Sequence, residues 1–104
     1  MDDTRIEALR AEIDEINHRL LRIIAERQAI SLEIGSLKAG MGLPLYSHER
    51  EAQLLAKFRA DALEFDLDPD YVEELMNVVL RHSRAAQRDR VEGQGASDPH
   101  GSPG

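Results

Sequence analysis

Apolar residues recur along the first third of the chain at alternating steps of three and four positions. This spacing places side chains on one face of an α-helix. Nine of the ten positions are apolar, and Arg27 is the exception. The ten positions hold Ile6, Leu9, Ile13, Ile16, Leu20, Ile23, Arg27, Ile30, Ile34 and Leu37. The pattern predicts one helix from about Thr4 to Lys38, ended by Gly40 and Gly42.

The predicted first helix is long for the chain that carries it. A helix of about 35 residues is about 50 Å long, whereas a compact chain of 104 residues has a radius of gyration of about 13 Å. The remaining chain is therefore too short to cover the apolar face. A second copy is the natural cover, so we expect a homodimer in which the long helices pair.

Two further helices are indicated by capping residues and apolar spacing. Ser47 suits the N-cap of a second, shorter helix, whose apolar positions lie within 54–65. Asp68 suits the N-cap of a third helix and Pro69 its first position. The apolar side of this third helix predicts that it continues to about Arg90.

The chain is therefore predicted to be all-α, with a long first helix, a short second helix and a third of medium length. These form one helical domain over residues 1–91. Residues 92–104 contain four Gly, two Pro and two Ser, a composition typical of a disordered polar tail.

Composition narrows the function classes. The chain has no Cys, which excludes disulfides, Cys-ligated zinc and a thiol nucleophile. The four His show no metal-ligand spacing, so no metal site is expected. Thirteen basic against twenty acidic residues give a net charge of −7, which argues against a nucleic-acid partner.

No apolar run approaches the ~20 residues of a membrane span, and the start of the chain lacks a signal-peptide pattern. We therefore expect no membrane partner and a cytoplasmic location.

Cations occupy the face of the first helix that should be apolar. A buried, unpaired guanidinium costs several kcal/mol, so Arg27 must meet a carboxylate, a cavity or an anionic ligand. Lys38 lies within about 20° of the same face. Arg10 lies about 100° away, so it cannot easily serve the same pocket within one chain but could point into the pocket of a partner chain. Two inward cations suggest an anion pocket. Alternatively, Arg27 fixes the register of a helical dimerisation module and pairs with Glu26 or Glu33 of another helix.

Polar residues also continue the apolar stripe of the third helix, where Ser83 and Gln87 lie one turn apart. Arg50 and Glu51 open the second helix. In the alternative interpretation, Ser83 and Gln87 are solvent-exposed at the end of a helix. Arg50 and Glu51 are then ordinary surface charges. Together with the cations of the first helix, these residues offer donors and one carboxylate without a nucleophile or a His base.

In this order and spacing, these residues resemble the all-helical chorismate mutases. The resemblance covers about 6–90. The matching residues are Leu9-Arg10-Ala11-Glu12-Ile13-Asp14-Glu15-Ile16-Asn17, Leu20-Leu21, Ala25-Glu26-Arg27, Lys38, Pro44, Glu49-Arg50-Glu51, Ser83 and Gln87.

The resemblance implies an intertwined homodimer with three helices per chain and a small dicarboxylate substrate. The family reaction is the Claisen rearrangement of chorismate to prephenate, which needs no cofactor, metal or proton transfer. It needs the substrate held in a chair-like conformer and donors at the breaking ether oxygen, where negative charge grows.

By the same resemblance, the partner's Arg10 would bind the side-chain carboxylate of the substrate. Arg27 and Ser83 would bind the ring carboxylate. Lys38 and Gln87 would donate hydrogen bonds to the ether oxygen.

The ring hydroxyl would be bound by Glu51, with Arg50 supporting that part of the pocket.

Many relatives carry an Asp three residues before the motif Arg, where this chain has Ser47. This departure leaves 4-amino-4-deoxychorismate open as the substrate, because a carboxylate can pair with an ammonium group. Glu51 argues against an isochorismate pyruvate lyase. A non-catalytic dimerisation module and a portion of a larger bifunctional enzyme remain alternatives.

Overall fold

The computed structural model describes residues 2–96, and side chains as far as residue 93. Helix α1 is Asp2–Gly40, α2 is His48–Glu64 and α3 is Pro69–Ala96. The described part of the chain contains no strand, so the all-α prediction with three helices is confirmed. Helix α3 ends at Ala96, beyond the predicted end near Arg90. Residues 92–96 of the predicted tail are thus helical, and residues 97–104 lie outside the described residues.

Glycine ends α1 through its backbone conformation. Gly42 has a φ of +71°, in the left-handed region that favours Gly because it has no Cβ. Its N–H donates to the carbonyl of Ala39 at 3.1 Å, and the N–H of Leu43 donates to that of Lys38 at 2.8 Å. These two bonds satisfy carbonyls that the helix leaves unpaired at its end. Gly40 is the last residue inside α1.

Side-chain caps begin the other two helices, as predicted. Ser47 is extended, and its hydroxyl accepts the N–H of the third residue after it. Asp68 Oδ1 accepts a backbone N–H two residues later at 2.9 Å. Between these caps, α2 ends at Glu64, and Asp66, two residues later, has a left-handed backbone with a φ of 57°. The N–H of Leu67 then donates to the carbonyl of Ala62 at 2.8 Å.

Helices α2 and α3 pack against each other over a small apolar core. Ala62 and Leu80 are the buried hydrophobic residues of the described chain, at 1% and 5% exposure. An ion-pair cluster joins the same two helices, because Arg59 donates to Asp70 at 2.9 Å and to Glu73 at 3.1 Å. Hydrogen bonds to these two carboxylates raise the pKa of Arg59 above its usual value.

The chain divides into two compact units between Ile30 and Ser31. The described residues of the first unit all belong to α1, and the second contains the end of α1 together with α2 and α3. Every apolar residue of the predicted stripe, from Ile6 to Leu37, is 40–61% exposed in the single chain. A second copy would cover this stripe, and the homodimer stays a prediction.

No helix within residues 2–96 combines the length and the apolarity needed to cross a membrane. The cytoplasmic location and the lack of a nucleic-acid partner stay predictions.

Candidate functional site

The side-chain amide of Gln87 is held in a fixed orientation. Gln87 lies on α3 and is only 9% exposed, so the alternative of a solvent-exposed helix end is wrong for this residue. Its Nε2 donates to the carbonyl oxygen of Ser31 at 2.7 Å and to the Ser31 hydroxyl at 3.1 Å. Because a carbonyl oxygen can only accept, this contact identifies the nitrogen end of the amide.

Gly35 makes the close approach of Gln87 possible. It lies four residues after Ser31, in the last part of α1, and it is buried. A Cβ at position 35 would lie 2.9 Å from Cγ and 3.1 Å from Cβ of Gln87. Such distances are well below van der Waals contact between carbon atoms. The absence of a side chain at position 35 therefore allows the amide to reach Ser31.

A second polar cluster joins the start of α2 to α3. Nη1 of Arg84 donates to both carboxylate oxygens of Glu51. Both side chains are partly buried, at 33% exposure for Arg84 and 20% for Glu51. The guanidinium lies over the ring of Tyr46, 5.1 Å from the ring centroid. The Tyr46 hydroxyl lies 3.2 Å from Nδ1 of His48.

The other predicted residues of the C-terminal unit have varied surroundings. Lys38 is half-buried in the last turn of α1, and Ser83 is half-buried one turn before Gln87. The Ser47 hydroxyl acts as the N-cap of α2, accepting the N–H of Arg50 at 3.1 Å. The side chain of Arg50 is exposed.

Two predicted residues lie in the N-terminal unit, both on α1. Arg10 is exposed and forms an ion pair with Glu7 at 3.1 Å. Arg27 is half-buried, in contrast to the exposed apolar residues of the same stripe. Across residues 2–93, no group of three His, Asp or Glu side chains is arranged to hold a metal ion.

Four residues around the predicted ones were missed by the sequence analysis: Ser31, Gly35, Tyr46 and Arg84. One of them carried a signal, because a Gly inside a helix costs about 1 kcal/mol relative to Ala and often marks a close packing contact. The other three are ordinary residues for their positions. Their contacts depend on segments far apart in sequence, such as the 56 residues that separate Ser31 from Gln87.

Comparisons with known proteins give consistent results. The family profile "Chorismate mutase type II" matches residues 9–88. A chorismate mutase from Methanocaldococcus jannaschii is 26% identical over 88 residues, covering 85% of this chain and 89% of that protein. The T-protein of Enterobacter agglomerans is 37% identical over 83 residues, or 80% of this chain. The match spans only 22% of the T-protein.

A solved structure, chorismate mutase form II from Thermus thermophilus, has the same fold. Its TM-score to this chain is 0.75 at 32% sequence identity. The superposition covers 81% of this chain and 94% of that one.

Proposed function

The chain belongs to the chorismate mutase type II family, and from this premise we propose that it catalyses the rearrangement of chorismate to prephenate. The matched range, 9–88, contains all eight candidate site residues. The observation that carries the proposal is the buried, oriented amide of Gln87, because the reaction needs a preorganised donor and no nucleophile.

One N–H of the Gln87 amide holds the side chain in place, and the other is the proposed hydrogen-bond donor to the substrate. The shorter contact, 2.7 Å from Nε2 to the Ser31 carbonyl, keeps the amide in place. The longer contact, 3.1 Å from Nε2 to the Ser31 hydroxyl, is the weaker one, and in the bound complex the ether oxygen of the substrate takes the place of this hydroxyl as the acceptor. Lys38 supplies the second donor, and its charge stabilises the negative charge that grows on this oxygen.

The two substrate carboxylates require cations. Arg27 and Ser83 bind the ring carboxylate, and the half-burial of Arg27 suits a guanidinium that meets a ligand. Arg10 of a second copy binds the side-chain carboxylate. Its exposed pair with Glu7 is easily exchanged, because surface ion pairs contribute at most about 1 kcal/mol.

The ring hydroxyl is the group proposed to contact the start of α2. Glu51 accepts its hydrogen bond, and Arg50 supports this corner from the exposed side. Ser47 lies beside them, but its hydroxyl caps α2, which leaves substrate recognition here to the carboxylate.

The intertwined homodimer supplies the second Arg10. Its support is the apolar stripe of α1, with nine Ile and Leu side chains that are 40–61% exposed in one chain. Burying the exposed part of one such side chain contributes about 1 kcal/mol. A second copy that pairs along α1 therefore gains stability at every turn of the helix.

The experiment measures the loss of chorismate absorbance with purified protein, and compares Arg27→Ala, Lys38→Ala and Gln87→Ala with the unchanged chain. Removing a transition-state donor or a carboxylate clamp should lower kcat/KM by about 100-fold or more. Lys57→Ala, which removes an exposed cation of α2, is the control and should keep full activity. Sedimentation should show that all variants remain dimeric.

Near-native activity in Arg27→Ala or Lys38→Ala would refute the site assignment. If the unchanged chain rearranges neither chorismate nor its amino analogue, and a transition-state analogue produces no thermal shift, the chain is a dimerisation module instead.

A further inference from the structure

The Glu51 carboxylate has its own cation within the same chain. Arg84 donates to both of its oxygens, and the pair is partly buried. A partly buried ion pair is less screened by water and salt than a fully exposed one. The negative charge of Glu51 is therefore balanced before any substrate arrives.

Arg84 is held on two sides. Its guanidinium lies over the Tyr46 ring at 5.1 Å from the centroid, which is within the range of a cation–π contact. The planar guanidinium combines this stacking with the bonds to the carboxylate, which a Lys ammonium cannot do equally well. The cation is thus fixed at the carboxylate by the chain itself.

On the basis of the proposed function, we infer that Arg84 sets substrate selectivity, so that the Glu51 corner accepts a ring hydroxyl and rejects a ring ammonium. A carboxylate offers about four lone-pair sites, of which Arg84 uses two. A hydroxyl can therefore donate to Glu51 while the ion pair stays intact.

A ring ammonium meets a different environment. It would approach a carboxylate whose charge is already balanced, and it would lie beside the guanidinium of Arg84. The ammonium and the guanidinium carry like charges and repel each other, and the partial burial of this corner makes the repulsion stronger than it would be at a fully exposed surface. Glu51 alone would favour the amine, so the carboxylate identifies the substrate only when its partner cation is considered. The substrate is accordingly the hydroxyl compound, chorismate, and not 4-amino-4-deoxychorismate.

The test measures kcat/KM for chorismate and for 4-amino-4-deoxychorismate with the unchanged chain and with Arg84→Gln. The unchanged chain should prefer chorismate. Arg84→Gln removes the charge but keeps a donor, so the ratio of amino to hydroxyl activity should rise by about tenfold or more. Arg84→Lys keeps the charge and should retain the original preference. Arg88→Gln, an exposed Arg one turn later on α3, is the matched control.

A second variant guards against misfolding of Arg84→Gln. Tyr46→Leu removes the ring beneath the guanidinium and should shift the ratio in the same direction, whereas Tyr46→Phe keeps the ring and should not. Circular dichroism and sedimentation check that each variant is folded and dimeric.

The inference fails if the unchanged chain prefers the amino compound, or if the ratio stays constant in Arg84→Gln and Tyr46→Leu. An equal loss on both substrates also refutes it, because Arg84 would then bind groups that both compounds share. These outcomes differ from a failure of the proposed function, in which the unchanged chain rearranges neither compound.

Discussion

Replacing Gly35 by Ala tests whether the approach of α3 to the end of α1 fixes the amide of Gln87. The added Cβ would lie 2.9 Å from Gln87 Cγ, 3.1 Å from Cβ and 3.3 Å from Cδ. Rotation about χ1 moves Cγ and Cδ but leaves Cβ in place, because Cβ is attached to the backbone of α3. Either α3 or the end of α1 must therefore shift.

Two opposing effects determine how much Gly35→Ala changes the free energy of unfolding. Ala in place of Gly inside a helix contributes about 1 kcal/mol of stability, whereas overpacking a buried contact costs about 1–3 kcal/mol. The net expectation is a destabilisation of up to about 2 kcal/mol. The amide must also leave the Ser31 carbonyl, so kcat/KM should fall by about 100-fold, as for the loss of a preorganised donor.

Gly40→Ala provides the matched control, since it lies in the same helix and an added Cβ meets nothing within 4 Å. It should gain a few tenths of a kcal/mol up to about 1 kcal/mol and keep full activity. Urea unfolding at one fixed protein concentration compares the two variants, because the stability of the proposed dimer would depend on protein concentration. If Gly35→Ala is as stable as Gly40→Ala and as active as the unchanged chain, the close-approach argument is wrong.

Two further predictions concern single hydrogen bonds. Ser47→Ala removes the N-cap of α2 and should lower stability by about 1 kcal/mol in urea unfolding, whereas Ser47→Asp should retain the cap; equal stability of the two variants would contradict the capping role. Ser31→Ala removes the 3.1 Å contact to Gln87 but keeps the backbone contact at 2.7 Å. Its kcat/KM should therefore fall by less than about tenfold, and a loss as large as that of Gln87→Ala would show that the hydroxyl is the main anchor.

Local features of the fold were predictable because they depend on neighbouring residues. The caps at Ser47 and Asp68 each use a side chain that bonds a backbone N–H two or three residues later. The left-handed Gly42 likewise satisfies carbonyls of the preceding turn. The end of α3 was not predicted, since the composition after 91 is typical of a tail. Helix propagation adds one hydrogen bond for each residue that it fixes, and α3 continues past the last apolar turn although Gly93 and Gly95 are poor helix formers.

The site was predictable only where a residue was unusual for its position. Gln87 broke an apolar stripe, which marked it, and its burial confirms that it faces inward. Arg84 broke no pattern, because Arg is common on helix surfaces and in this chain. Its partner Glu51 lies 33 residues away, and only the packing of α2 against α3 brings the two together. The interaction that balances the carboxylate is therefore not visible in either helix alone.

Gln at position 87 serves two purposes through one contact: it joins α3 to the end of α1, and it orients the proposed hydrogen-bond donor. The apolar core of the described chain is small, with Ala62 and Leu80 as its buried hydrophobic residues. A Leu at position 87 would add to this core, but it would provide no donor. The amide instead joins α3 to the end of α1 through Ser31, which orients the helix without much apolar contact. Gly35 makes the approach short enough for both protons to be directed, so the proposed donor is oriented by the packing that holds the helices together.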